Sequence, residues 1–218
     1  MGRFDAMKKK IRIGLNLLIA VSVILSWLFM VFYAKTGILT GRGVRSLRYF
    51  TVLSNLFAAA AAIVWLFCQA RGRNPKTAAV LKYAAAVSVG LTFLVVLVFL
   101  GPRFGFAGMY GGYNLWMHLL VPLMAMGEFI FLNDTPMTLS DNAWAVAPML
   151  LYGVYYVGNA AVNGIGKGWG TNDWYGFLTW GWGWGAFIFA AIAGITFLLG
   201  LLLRKANALV LRKKSAQA

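Results

Sequence analysis

The sequence predicts an all-α polytopic membrane protein, a single bundle of six transmembrane helices with both termini in the cytoplasm. Hydrophobic residues make up 61% of the chain and charged residues only 11%, whereas about 25% of a soluble domain is charged. A helix needs about 20 mostly apolar residues to cross a bilayer, and such runs follow one another with little between them. The predicted spans are residues 11–34, 47–68, 77–100, 113–132, 142–162 and 180–203.

The ends of these spans are marked by residues that break or cap helices. The Gly101-Pro102 pair is expected to end the third helix, and Ser140 or Asp141 to cap the start of the fifth. Pro122 and Pro148 lie inside the fourth and fifth helices. Each proline lacks a backbone N–H, so it should kink its helix and leave one carbonyl without a donor.

The basic residues indicate the orientation in the membrane. The net charge is +15, but Lys and Arg lie at the ends of apolar runs and in the tails, which is typical of topology signals rather than of a nucleic-acid-binding patch. One side would carry Arg3, Lys8, Lys9, Lys10, Arg12, Arg71, Arg73, Lys76, Lys82, Arg204, Lys205, Arg212, Lys213 and Lys214. The other would carry fewer: Lys35, Arg42, Arg45, Arg48, Arg103 and Lys167. The positive-inside rule therefore predicts cytoplasmic termini.

The numbers of cysteine and histidine residues restrict the chemistry. Cys68 and His118 are the only residues of their types in the chain. An intramolecular disulfide and haem ligation by two histidines are excluded by these counts, and one Cys with one His argues against a structural zinc site. We expect no metal and no cofactor.

Two pairs of polar side chains at helical spacing predict a site. Thr51 and Asn55 lie four residues apart on the second helix, and Asn114 and His118 on the fourth, so each pair shares a helix face. Both pairs fall near the outer ends of their helices. Polar groups inside a bilayer are costly and often mark functional sites. The hydroxyl of Thr51 and the imidazole of His118 are therefore expected to meet in a pocket near the outer leaflet.

Each of these residues also has a purely structural explanation. A threonine in a membrane helix commonly bonds the carbonyl four residues earlier, and a lone histidine can simply link two helices. Glu128 lies ten residues after His118, near the cytoplasmic end. We therefore interpret Glu128 as capped or interfacial and not as a partner of His118. The Trp-rich loop at residues 164–184 is interpreted either as an interfacial aromatic belt or as a lid over a pocket.

Four short motifs resemble the androgen-induced gene family of membrane hydrolases and its bacterial relatives. They are Arg-Tyr-Phe-Thr-Val-Leu-Ser-Asn at 48–55, Trp-Met-His followed by Val-Pro at 116–122, Tyr-Gly-Val-Tyr-Tyr at 152–156 and Asp-Trp-Tyr-Gly-Phe at 173–177. The resemblance implies a threonine hydrolase that cleaves lipid esters, notably fatty acid esters of hydroxy fatty acids. It implies that Thr51 is the nucleophile and His118 its partner, in a protein of the bacterial cell membrane.

The supporting groups follow from the chemistry of ester hydrolysis. A threonine hydroxyl is a weak nucleophile that needs an adjacent base, and a neutral imidazole can take its proton. Candidate donors to the oxyanion or contacts to the substrate are Ser54, Asn55, Asn114 and Asn159, and Asp173 is the nearest conceivable acid. A non-enzymatic protein that binds or transports lipids or small molecules through a polar cavity is the main alternative, and a structural protein is a third. No nucleic-acid partner is expected, and the oligomeric state is left open.

Overall fold

Six long helices make up the structure, a computed structural model that describes residues 3–34, 41–166 and 171–216. They are α1 (Arg3–Phe32), α2 (Phe50–Ala70), α3 (Lys76–Phe104), α4 (Tyr113–Leu132), α5 (Leu139–Asn163) and α6 (Trp182–Ser215). All six contain stretches long and apolar enough to cross a membrane, and the described residues include no β-strand. The predicted all-α, six-helix membrane fold is confirmed.

The central helix of the bundle is α3, which packs against α2, α4, α5 and α6. Every residue from Lys82 to Thr92 is buried, on all sides of the helix. This pattern is typical of a helix enclosed by others. Small residues allow the close approach, because alanine and glycine let helix backbones pack tightly in lipid. Four alanines of α2 form part of the same core: Ala58, Ala59, Ala61 and Ala62. On the other side of α2, α1 packs against α2 and α4.

Successive helices run in alternating directions, so the bundle has two distinct ends. The end that contains the start of α1 is called the termini end. The opposite, far end contains a 3-10 turn before α2 (Gly43–Arg48), a short helix before α4 (Phe106–Met109) and the loop that leads into α6. Gly105 and Gly112 bracket the short helix with φ values of 86° and 56°. Glycine adopts such angles without steric cost, so the connection can fold back over the start of α4.

Two π-helical turns interrupt the regular α-helical hydrogen bonds. One of them explains why the predicted end of the third helix is wrong. Residues Val96–Leu100 of α3 and Trp116–Leu120 of α4 are π-helical, and each turn is followed by a proline two residues later, Pro102 and Pro122. We expected Gly101-Pro102 to end the third helix, but α3 continues to Phe104. A proline at this position removes a single donor from the ladder, and its fixed φ suits the start of the next α-helical turn.

The start of α5 also differs from the sequence-based prediction. Its N-cap is Thr138, whereas we expected Ser140 or Asp141. The Thr138 hydroxyl accepts the N–H of Asp141 at 3.2 Å, and the Asp141 carboxylate accepts the N–H of Thr138 at 2.7 Å. This reciprocal arrangement is a capping box, in which a Thr N-cap precedes an acidic N3 residue. Asp141 therefore belongs to the cap as its third helical residue.

A buried ion cluster near the termini end corrects the interpretation of Glu128. Its carboxylate is 1% exposed and pairs with the guanidinium of Arg12 on α1 and with the ammonium of Lys82 on α3, at 3.3 Å. Asn16 also donates to this carboxylate, and the guanidinium lies 4.4 Å from the ring centroid of Trp65. Glu128 is therefore neither capped nor interfacial. Arg12 and Lys82, which we had counted with the cytoplasmic leader and loop, lie inside the bundle because their charges are paired there.

Replacing Glu128 by Gln should lower the free energy of unfolding by about 3–5 kcal/mol, because two buried cations then lose their counterion. The matched control is Asp134→Asn. Asp134 forms an ion pair with Lys8 at the same end, but its side chain is more than half exposed, and such pairs contribute about 1 kcal/mol or less. Each variant is unfolded in detergent micelles by titration with a denaturing detergent. The free energies of unfolding from these titrations give both changes. Equal losses in the two variants would show that the buried cluster does not hold the helices together.

Candidate functional site

Thr51, Asn114 and His118 line one cavity at the far end of the bundle. Its volume is about 50 Å³, which is enough for a few water molecules or an ester group but not for an acyl chain. The remaining lining residues are Met30, Tyr49, Val52, Leu100, Met109, Tyr113, Met117 and Tyr175. The floor is thus mostly apolar, and the polar groups come from the starts of α2 and α4. We expected polar side chains of α2 and α4 to lie at the same depth, and these two helices do line one pocket.

The side chain of Asn55 joins these two helices directly. Its amide nitrogen donates to the carbonyl of Thr51 at 2.8 Å and to the carbonyl of Met117 at 3.0 Å. In the π-helical turn of α4, the N–H of Val121 donates to the carbonyl of Trp116, five residues earlier. By the same spacing, the carbonyl of Met117 would accept the N–H of residue 122. That residue is Pro122, which has no N–H. Asn55 supplies the missing donor and so fixes α2 against the turn that carries His118.

The imidazole of His118 is held in one tautomer by the backbone. Its Nδ1 lies 2.7 Å from the carbonyl oxygen of Met109, and a carbonyl oxygen can only accept. Nδ1 therefore carries the hydrogen, and Nε2 carries the lone pair. Within the described part of the chain Nε2 has no hydrogen-bond partner, and the side chain is 9% exposed. The ring is thus oriented with a basic nitrogen available, as a general base requires.

The hydroxyl of Thr51 is not satisfied in the way that is usual for membrane helices. Thr196 and Ser88 each donate to the carbonyl four residues earlier, at 2.7 and 2.8 Å. No described residue forms a hydrogen bond with the Thr51 hydroxyl, which lies on the second residue of α2 and lines the cavity. A hydrogen bond to the carbonyl four residues earlier, the usual structural role of a membrane threonine, therefore explains Thr196 but not Thr51.

An aromatic segment of the α5–α6 loop braces the chain just before Thr51. The Tyr175 hydroxyl accepts the N–H of Phe50 at 2.9 Å, and the Tyr152 hydroxyl donates to the carbonyl of Arg48 at 2.7 Å while accepting from the indole of Trp174. Burial raises the pKa of Tyr175 to about 12, so its hydroxyl stays protonated at neutral pH. These contacts keep the entry to α2 in place.

The Trp-rich loop has a buried part, which is compatible with the predicted lid, and an exposed part, which is compatible with the predicted interfacial belt. Trp174 and Leu178 are buried against the bundle, and Tyr175 reaches the cavity, as a lid would. Trp180 and Trp182 are exposed, as expected of an interfacial belt. Trp169 and Lys167, which we also assigned to this loop, lie outside the described residues.

The other predicted site residues do not line this cavity. Ser54 pairs with Thr92 at 3.0 Å. Asn159 accepts from Asn163 at 3.0 Å, near the end of α5. The Asp173 carboxylate accepts the Tyr156 hydroxyl and, at 3.0 Å, the N–H of Leu178, so it stabilises the loop fold.

The amide of Asn55 uses both of its hydrogens on carbonyls, so it has none left for an oxyanion. Asn114, whose amide donates to Gly108 at 3.3 Å, has a second hydrogen and remains the amide candidate at the cavity.

Sequence reasoning missed three contributors to the site: the Met109 carbonyl, Tyr49 and Tyr175. A backbone carbonyl carries no sequence signal, although four glycines within four residues of Met109, namely Gly105, Gly108, Gly111 and Gly112, indicate a tight fold there. The described residues contain no cluster of three or more His, Cys, Asp or Glu side chains that could hold a metal ion. Comparison with protein-family models, curated proteins and solved structures found no match to this chain.

Because His118 is the only histidine, nitrogen NMR can read its tautomer without assignment. With ¹⁵N-histidine labelling and a purification tag free of histidine, the folded protein above pH 7 should give a pyrrole-type signal for Nδ1 and a pyridine-type signal for Nε2. The physical reason is the hydrogen bond from Nδ1 to Met109. The denaturant-unfolded chain, which averages both tautomers, is the control. A folded protein with the hydrogen on Nε2 would contradict the geometry described above.

Proposed function

We propose that this protein is an integral-membrane lipid ester hydrolase in which Thr51 is the nucleophile and His118 the general base. One observation carries the proposal: a threonine hydroxyl and an imidazole Nε2, neither of which has a hydrogen-bond partner among the described residues, belong to side chains that line the same small cavity. A nucleophile, a base and a group that orients the base are the minimum needed for acyl transfer. Here the Met109 carbonyl would take the orienting role that a carboxylate often fills.

In the first half-reaction the Thr51 oxygen attacks the ester carbonyl carbon while its proton passes to Nε2 of His118. The resulting tetrahedral intermediate expels the alcohol, which receives that proton, and leaves an acyl group on Thr51. In the second half-reaction His118 takes a proton from water, the hydroxide attacks the acyl carbon, and the proton returns to Thr51. The products are an alcohol and a fatty acid, and both residues end in their starting states.

The oxyanion would be stabilised at the start of α2. Thr51 is the second residue of a 21-residue helix, at its positive dipole end. The N–H of Phe50 donates to Tyr175, and those of Val52 and Leu53 donate to the Tyr49 carbonyl. Among the described residues, the N–H of Thr51 is the one at this helix start that is left for an oxyanion. The amide of Asn114, which lines the same cavity and keeps one hydrogen free of the Gly108 bond, would be a second donor. Fixed donors that face a developing negative charge often provide the largest part of catalysis.

The membrane supplies the substrate in this proposal. A cavity of about 50 Å³ accommodates the ester group, while the acyl chains stay among the apolar surfaces between helices and lipid. The charge pattern along the chain favours cytoplasmic termini, with the far end at the outer leaflet. The motif resemblance favours lipid esters as substrates and a bacterial cell membrane as the location.

Purified protein in detergent micelles should hydrolyse a panel of lipid esters, including a branched fatty acid ester. Thr51→Ala should reduce kcat to background, and His118→Ala should reduce it by about 100-fold or more, the range of general-base catalysis. Release of fatty acid, measured by mass spectrometry, gives both rates.

The matched control is Thr196→Ala, which removes a threonine hydroxyl bonded to its own helix and should keep wild-type kcat. Thr51→Ser, which retains a hydroxyl, should recover part of the activity. Equal rates in wild type, Thr51→Ala and His118→Ala would refute the hydrolase, as would inactivity of all three while the fold is intact. The second outcome would favour a protein that binds lipid without cleaving it.

A further inference from the structure

Several cations at the far end of the bundle have no acidic partner among the residues that the structure describes. Arg42, Arg45 and Arg103 are exposed there, with Arg48 partly exposed beside them. The four ion pairs formed by described residues all involve Glu128, Asp134 or Asp141, toward the termini end. The one acidic residue described at the far end, Asp173, is buried and bonded to its own loop. This end therefore offers net positive charge to an anionic group.

Arg48 is the least exposed of these four arginines, and its guanidinium packs against two aromatic rings. Its centre lies 4.9 Å from the ring centroid of Tyr49 and 5.5 Å from that of Trp174. One terminal nitrogen donates to the Tyr49 hydroxyl at 2.7 Å, but Nε is buried and has no hydrogen-bond partner within the described part of the chain. A buried N–H of a charged group without an acceptor costs free energy, and a ligand that accepts its hydrogen bond would remove that cost.

The position of Arg48 relates it to the cavity. Tyr49, which touches the guanidinium, lines the cavity together with Thr51 and His118. Arg48 ends the 3-10 turn that leads into α2, so it lies about one helical turn further out than Thr51. Its backbone is fixed by the Tyr152 hydroxyl. From the far end inward, the chain thus passes from Arg48 through Tyr49 to Thr51, and the apolar side chains of Val52 and Met117 line the same cavity.

From this order we propose that the substrate is a glycerophospholipid, with its phosphate bound by Arg48 and its ester at Thr51. In such a lipid the phosphate lies at the headgroup level, the ester lies just beneath it, and the chains continue into the hydrocarbon. Arginine binds phosphate through paired N–H groups, and the unpartnered Nε can form one of them. A neutral lipid ester would leave the guanidinium unpaired. This inference rests on the proposed function, since it names the substrate of the same site.

The test measures binding without turnover, in the full-length Thr51→Ala protein in detergent micelles. The probes are dihexanoylphosphatidylglycerol, neutral dihexanoylglycerol, a fatty acid ester that carries a free carboxylate, and inorganic phosphate. Native mass spectrometry gives the affinities. Thr51→Ala should bind the phospholipid at least about 10-fold more tightly than the diacylglycerol, the lower range for hydrogen bonds to a charged group. Adding Arg48→Gln should remove this preference, and Arg48→Lys should recover only part of it.

Arg45→Gln is the matched control, because it removes the same charge from the same 3-10 turn but from an exposed side chain. It should leave the preference within about 2-fold, as expected for a screened surface charge. Equal losses for Arg45→Gln and Arg48→Gln, no preference at all, tighter binding of the carboxylate ester, or displacement by inorganic phosphate alone would each overturn the proposal. A phospholipid preference without hydrolysis by wild type would instead refute only the proposed function.

Discussion

The packing of the bundle depends on the buried ion pairs of the Glu128 carboxylate. This carboxylate neutralises cations from α1 and α3 while itself belonging to α4, so three helices meet at one buried group. Within a bilayer a charge without a partner is far more costly than a lost apolar contact, which makes this arrangement strongly preferred over any slipped register. Because α4 is fixed near the termini end, its opposite end can hold His118 at a defined depth beside α2.

A second polar constraint acts at the far end, where backbone geometry takes the place of charge. The π-helical turn and Pro122 leave the Met117 carbonyl without its helical donor, and the side-chain amide of Asn55 on α2 donates to it instead. Irregular backbone is tolerated inside a membrane only where other groups satisfy it. The same irregular segment carries His118, whose Nδ1 is held by the folded-back Met109 carbonyl. Irregular helix geometry and the candidate chemistry thus occur together, as is frequent for π-helical turns.

Much of the fold could be predicted because apolar length and polar spacing are local properties. The six spans, and the shared pocket of Thr51 and His118, follow from run length and from spacing of four residues. Glu128 could not be assigned correctly, since its partners lie 116 and 46 positions away in α1 and α3, and pairing at that range depends on helix packing. Likewise Asn55 was proposed as an oxyanion donor, but only the tertiary structure shows that both its hydrogens are used.

In the proposed hydrolase, the Thr51 hydroxyl is a nucleophile activated by His118. The most direct measurement is covalent labelling of the purified, folded protein with a fluorophosphonate probe, followed by peptide mass spectrometry. The adduct is predicted on the Thr51 oxygen, with labelling that is lost in Thr51→Ala and strongly slowed in His118→Ala, because attack needs the base. Labelling that persists in Thr51→Ala, or that proceeds at the wild-type rate without the imidazole, would contradict the account.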